Sequence, residues 1–286
     1  VGLPQCGINT CSKRNYQIID VSGVRIGIVA YTYGTNAAYN HCYLSWRDRK
    51  LINLLQEQEG QIKRLWKRIF RGHLVWLYNK LESALFPNNK GKYAHEKETV
   101  SFYRKWLIRK ELQRVKKEKL DLMIACLHVG GQLNWEPTDY TKKTVAYFIN
   151  HGCDIVIANH EHVVHGIDFD KNNRTFSTFA LGDCVSGVGV IYKPFDRLAD
   201  YSIAVHFYVD ENKKTVEKVS FSVLKRLLDE ADRIVVWPAA EIYDRTNDLS
   251  EQERILKTAE LFSGVKYKKV EKEFIIPGFG DERERN

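Results

Sequence analysis

Apolar and polar positions recur with two different periods along this chain, and the changes of period mark its elements. Residues 16–21 and 24–33 are rich in β-branched and aromatic residues, and Ser22-Gly23 joins them, so they read as two strands of a hairpin. Leu120–Leu127 and Asp154–Ala158 are almost unbroken apolar runs, the pattern of strands covered on both faces of a parallel sheet. Between them Thr138–Asn150 places Val145, Phe148 and Ile149 on one helical face, with Gly152 where a C′ cap glycine belongs. Strand, helix and strand at this spacing predict a βαβ unit. Thr175–Leu181 predicts a further strand running into Gly182-Asp183, and Tyr201–Val209 and Val216–Val223 a hairpin across residues 210–213. A last helix is expected over Ser250–Ser263, with Ser250 as N-cap and Glu253 completing a capping box. Asp168 and Asp170 read as turn residues before Lys171-Asn172-Asn173, and Trp237-Pro238 as structural. Residues 47–119 are read as helical and strongly basic, broken at Asn88-Asn89-Lys90-Gly91. The sum is an α/β chain, one domain over residues 1–286, with 47–119 as a basic helical insert.

Composition narrows the partners more than the fold. With 286 residues, 44% hydrophobic and 28% charged, the chain has the make-up of a folded protein. A net charge of +8 suits phosphate-bearing substrates, acidic polymers or anionic membrane surfaces alike. Six cysteines lack zinc-ribbon spacing and imply no disulfide framework; Cys126 reads as a buried strand residue and Cys153 as a small core or helix-end residue. No apolar run reaches the roughly 18 residues of a membrane span, and no signal peptide follows Val1. The basic character concentrates in 61–81, where Ile62, Leu65, Trp66, Ile69 and Phe70 share a helical face and Lys63, Arg64, Lys67, Arg68 and Arg71 fill the other. Three readings of that helix stand: an interfacial helix on anionic lipid, a lid whose cations bind an anionic polymer, or a surface helix burying one stripe. No P-loop, dinucleotide fingerprint or Gly-x-Ser-x-Gly elbow is present, and no nucleic-acid partner is expected.

The candidate chemistry lies at two strand ends. His128 follows the first apolar run, and His160 and His162 follow the second in Asn159-His160-Glu161-His162. Ligands bind outside the carboxyl ends of strands in open α/β sheets, and neutral imidazole is the commonest metal ligand. Three imidazoles converging there predict a metal site; the competing reading is a set of hydrogen-bonded polar residues at strand ends. Gly130 and Gly131 let the loop after His128 approach a ligand, and His165 is placed as an outer donor or acid. Cys184 as a thiol nucleophile is a weaker alternative, since histidines used by metal cannot serve it as base.

These segments together resemble a known family. His128-Val129-Gly130-Gly131-Gln132, the stretch Gly152 to Val164, and Phe179-Ala180-Leu181-Gly182-Asp183 are similar in order and spacing to the CapA/PgsA capsule-synthesis family. That family looks like a branch of the calcineurin-like metallophosphoesterases. The strand Val24–Tyr33 with Gly34-Thr35-Asn36 resembles an earlier family strand and its turn. The resemblance implies a β-sandwich flanked by helices in α/β/β/α layers, and His128, His160 and His162 as metal ligands. It implies Asn36, Asn159 and Gly182 lining a substrate pocket, with Asp183 and His165 supporting substrate or water. Two divalent ions (Mn, Fe or Zn undistinguished), a phosphate-bearing or anionic polymer substrate such as poly-γ-glutamate, and a cell-envelope location follow from it. Gln132 stands for the family's Glu, Glu161 for its Pro and Asp183 for its Asn. The family's earlier motifs, a strand-end Asp, an Asn-Leu-Glu and an Asn-Asn-His, are not found before Val24, and a missing amino-terminal portion is expected to carry them. A non-catalytic membrane-surface scaffold of polymer export and a mononuclear zinc hydrolase remain the alternatives.

Overall fold

A turn with two consecutive left-handed residues, Ser22 at φ 52° and Gly23 at φ 81°, closes the first hairpin. That backbone suits the right-handed twist of the strands it joins. Asp20 fastens it by accepting the Gly23 N–H at 3.0 Å. β1 (Tyr16–Val21) and β2 (Val24–Thr32) pair antiparallel across it. The computed structural model describes residues 15–34, 51–55, 100–131, 134–185 and 197–278. The basic stretch 61–81, Gln132 and Asn36 lie outside the described residues.

Two helices follow the residues their caps select. α1 (Phe102–Lys116) starts where the Ser101 side chain accepts the Arg104 N–H, and it buries Ile108, Leu112 and Val115. α2 (Asp139–Asn150) starts with Thr138 accepting from Thr141 N, buries Tyr140, Val145 and Phe148, and ends before Gly152 at φ 92°. β3 (Leu122–His128) and β4 (Ile155–Asn159) lie either side of α2 in sequence and pair parallel. β5 (Ile167–Asp170) and β6 (Thr175–Thr178) complete a six-stranded sheet in the order β1-β2-β3-β4-β6-β5. Its four inner strands are parallel neighbours, and the edges β1 and β5 run antiparallel.

The second sheet is antiparallel: β7 (Tyr201–Asp210), β8 (Thr215–Leu228), β9 (Ile234–Pro238) and β10 (Phe274–Ile275). α3 (Ala239–Thr246) and α4 (Leu249–Ser263) come between its last two strands. One face of the first sheet, with Val29, Met123, Ala125 and Val156, packs with α1 and α2, and Tyr31 meets Phe148 edge-on at 5.1 Å. The other face supplies Val24, Leu122, Ile155 and Phe176 to a second core, filled by Ile203, Val219, Phe221 and Val223 of the second sheet and by Ile255, Ala259 and Phe262 of α4. The molecule is therefore a mixed α/β structure, as the sequence implies.

Several expectations are corrected. Residues 52–54, inside the stretch read as helical, run beside β2 instead: Thr32 N–H donates to Asn53 O, and Leu55 N–H to Thr32 O, each at 2.9 Å. They occupy the side of β2 that β1, which starts opposite Val29, leaves open. Asp168 is a strand residue of β5, paired with Ser177, while Asp170 does cap the turn by accepting from Asn172 and Asn173. The last helix is capped by Asp248, not Ser250, which moves the third helical position from Glu253 to Glu251. Glu251 is buried and accepts the Tyr201 hydroxyl proton at 2.6 Å. Cys153 is buried, and burial pushes its thiol up to about 12, but Cys126 is exposed on its strand.

Candidate histidine site at the strand ends

Parallel register brings three strand ends level. Thr32 of β2 pairs with His128 of β3, and His128 pairs with Asn159 of β4, so the row Thr32–His128–Asn159 forms the carboxyl edge of the sheet. Side chains level across neighbouring strands share a face. The chain then leaves β4 through His160, Glu161 and His162, with His162 in the left-handed region at φ 62°. A residue with a Cβ adopts that conformation at a cost of about 1–2 kcal/mol, so the loop holds it by other contacts.

The hydrogen bonds are consistent with one set of tautomers. Thr32 Oγ1 donates its only proton to Gly34 O at 2.6 Å, so it accepts from His128 Nδ1 at 2.9 Å. His128 Nε2 then carries a lone pair and accepts from His160 Nδ1 at 2.7 Å. The His160 Nε2 lone pair in turn accepts the Tyr33 hydroxyl proton at 3.1 Å. His162 donates from Nδ1 to Asp183 Oδ2 at 2.9 Å. Ring centroids stand 4.5 Å apart for His128 and His160, and 5.8 Å for His160 and His162. Partial desolvation, and secondarily His162 nearby, lower the pKa of His128, which keeps it neutral at neutral pH.

The predicted residues divide into those that meet and those that do not. His128, His160 and His162 come together, with Asp183 behind His162. Asn159 spends its amide on the backbone, donating to Gly182 O at 3.3 Å and accepting from Leu181 N at 3.1 Å. Gly182, at φ 83°, lies against Tyr201 O and the Ser202 backbone, where a Cβ would fall 2.6 Å from that carbonyl. It bridges the loop after β6 to β7. His165 is buried, joins its Nε2 to Asn134 O at 2.7 Å and has its pKa lowered by burial. None of its contacts among the described residues is with the three imidazoles. Asn36 lies outside the described residues. Glu161 is fully buried with its carboxylate against Gly130.

Three neighbours of the site were not anticipated: Thr32, Tyr33 and Arg226. Thr32 and Tyr33 stand at the end of a recognised strand, and that position is a signal for them. Arg226 lies on β8 of the other sheet, and only its place inside an apolar strand marks it. It reaches Asp183 Oδ2 through Nη1 at 3.1 Å and Asp200 Oδ1 through Nη2 at 3.2 Å.

The donor chemistry fits a cation better than the present spacing does. His128 and His162 each have a partner on Nδ1, the outer-sphere arrangement that orients metal-ligating imidazoles. The His128 Nε2 lone pair that would bind an ion is the one His160 Nδ1–H occupies at 2.7 Å, so this hydrogen bond must open for His128 to ligate. As they stand, no three His, Cys, Asp or Glu side chains among the described residues form a metal cage. Asp183 is held by His162 and Arg226 and is not placed to bridge two ions.

Comparison with known proteins bears on the motif reading. A solved structure described as a hypothetical protein from Thermus thermophilus is similar over 78% of this chain at 13% identity, with a TM-score of 0.29. The similarity spans 61% of that protein's length. No curated protein sequence was matched. A family profile described as bacterial capsule synthesis protein PGA_cap matches residues 1–188, which include the β2, β3 and β4 ends and the loop to Asp183. The chain therefore belongs to the PGA_cap family of bacterial capsule synthesis proteins.

Proposed function

We propose that the strand-end imidazoles form a divalent-metal site of a metallophosphoesterase-like fold, acting on a phosphate ester or anionic polymer in capsule synthesis at the cell envelope. The observation that carries this reading is the level row of Thr32, His128 and Asn159 with His160 and His162 directly beyond it. His128, His160 and His162 would hold the ion, and three imidazoles suit one zinc-like cation with an open position. A second ion requires carboxylate donors beyond these residues. The bound metal would polarise a phosphoryl oxygen and lower the pKa of a bound water. The chain's own residues orient that chemistry: Thr32 and Asp183 fix the faces of His128 and His162, and Tyr33 holds His160. Poly-γ-glutamate is one anionic polymer that matches the net positive charge. Calorimetric titration with Zn²⁺ and Mn²⁺ should show one strong site per chain, weakened at least about 100-fold in His160→Ala and His162→Ala. Equal metal content in wild type and both variants would sink the reading.

A specific feature favours a second, membrane-surface reading beside the first. On α1, Phe102 is 88% exposed, Tyr103 59% and Trp106 49%, and Lys110 lies over the Trp106 ring at 5.2 Å. The same exposed side carries Arg109, giving a mix of aromatic and cationic groups suited to an anionic bilayer interface. Among the described residues no helix is long and apolar enough to cross a membrane, so such a contact would lie on the surface. Flotation with phosphatidylglycerol vesicles should carry the wild type, and Phe102→Ser/Trp106→Ser should reduce bound protein several-fold. Equal flotation of both would exclude α1 as the contact.

A further inference from the structure

Arg226 is the largest fully buried side chain in the second sheet, and its charge is spent across the boundary with the first. Its guanidinium joins Asp183, in the loop after β6, to Asp200, in the short 3₁₀ turn Arg197–Asp200 that leads into β7. The Asp183 oxygen that Arg226 engages is the one His162 donates to. The other oxygen of Asp183 accepts the Val185 N–H at 3.0 Å, so the carboxylate is fixed at both ends. A buried ion pair used only for stability is often replaceable by apolar residues of similar volume without loss. What apolar residues cannot supply is a carboxylate of set orientation behind one imidazole. His162 needs such a support, because its backbone sits in the left-handed region.

We propose that Arg226 is a positioning residue of the histidine site. It clamps Asp183, Asp183 holds the proton on His162 Nδ1, and His162 Nε2 is thereby presented to the site with its lone pair. The use of that lone pair for a cation rests on the metal reading above; the positioning itself does not. Arg226 lies beyond the 1–188 segment matched by the family profile, so the second sheet supplies part of the site's support.

Nitrogen-15 spectra of the metal-free full chain at about pH 8, where imidazoles are neutral, read the His162 tautomer directly. Wild type and Arg226→Lys should show His162 protonated at Nδ1, whereas Arg226→Met should shift it toward the Nε2 form. In the same proteins Zn²⁺ affinity should fall about 10–100-fold in Arg226→Met, the usual effect of losing an outer-sphere partner, and recover largely in Arg226→Lys. An Nε2–H form of His162 in the wild type, or an unchanged Nδ1–H form in folded Arg226→Met, overturns the proposal. If Arg226→Met does not fold, the wild-type guanidinium signals decide: they should move along the same Zn²⁺ titration curve as the His162 ring nitrogens, and fixed signals overturn the proposal. Absence of any Zn²⁺ binding together with the expected tautomers would sink the metal reading alone and leave the role of Arg226 standing.

Discussion

Gly130→Ala is expected to cost about 3 kcal/mol or more of stability and to abolish strong metal binding together. Gly130 has φ 132°, a conformation essentially confined to glycine, and the backbone strain alone is about 1–3 kcal/mol. Added to it is a steric conflict, because the new Cβ overlaps the carboxylate of Glu161. Glu161 is fully buried and lies between His160 and His162, so it cannot move outward without carrying both imidazoles with it. Gly23→Ala is the matched control: φ is 81°, yet nothing stands within 4 Å of the added Cβ, and a loss of about 1–2 kcal/mol is expected. Urea unfolding of both variants, with Zn²⁺ titration, checks this. A Gly130→Ala protein no less stable than Gly23→Ala would show that the Glu161 contact does not hold the loop.

Phe221→Ala should remove about 3–5 kcal/mol, the range for a large aromatic deleted from a packed core. Phe221 is fully buried and its ring is stacked on Phe274 at 5.2 Å, with Phe262 edge-on at 4.9 Å and Tyr267 at 6.1 Å. One ring therefore ties β8 to β10 and α4, and the remaining cavity opens beside elements that other contacts hold in place. Phe221→Leu, which keeps most of the volume, should cost far less, about 1.5 kcal/mol. Metal affinity of whatever stays folded should match wild type, because the rings that Phe221 packs against are Phe262, Tyr267 and Phe274. Urea midpoints and slopes for the pair measure it, and near-equal midpoints would mean that this core relaxes around the loss.

The parts of the fold visible in the sequence are those that local chemistry dictates. Ser22-Gly23 forces a tight hairpin, the apolar runs before His128 and His160 can only be inner strands, and Thr138 and Gly152 delimit a helix whatever surrounds it. β5 escaped notice because Asp168 and Asp170 weigh toward turns, although pairing with β6 holds both in a strand. α3 escaped because it is 8 residues long and begins directly after Pro238, with no side-chain cap to announce it. Asn53 and Leu54 were hidden inside basic sequence; their place beside β2 comes from hydrogen bonds to Thr32, a tertiary effect. For the site, imidazoles at strand ends were legible because position along a parallel strand fixes position in space. Arg226 of the other sheet, and Asp200 in the 3₁₀ turn before β7, were not, since nothing local relates β8 to the loop at Asp183.

The main-chain bond from Ile203 N to Leu181 O, at 2.8 Å, and the Gly182–Ser202 bridge stitch β7 to the loop after β6, the same loop that holds the Asn159 amide. A fragment cut where the family profile stops, at residue 188, would therefore not be a smaller version of the same machine. It would bare Leu122, Ile155 and Phe176, now covered by the second core, and a continuous apolar face of that kind drives self-association. It would also strip Asp183 of its guanidinium, so soluble truncation products would report on a rearranged loop. Recombinant work, deletion mapping and cross-species grafting on this protein should treat residues beyond 188 as inseparable from the histidine edge, with exchangeable segments sought elsewhere.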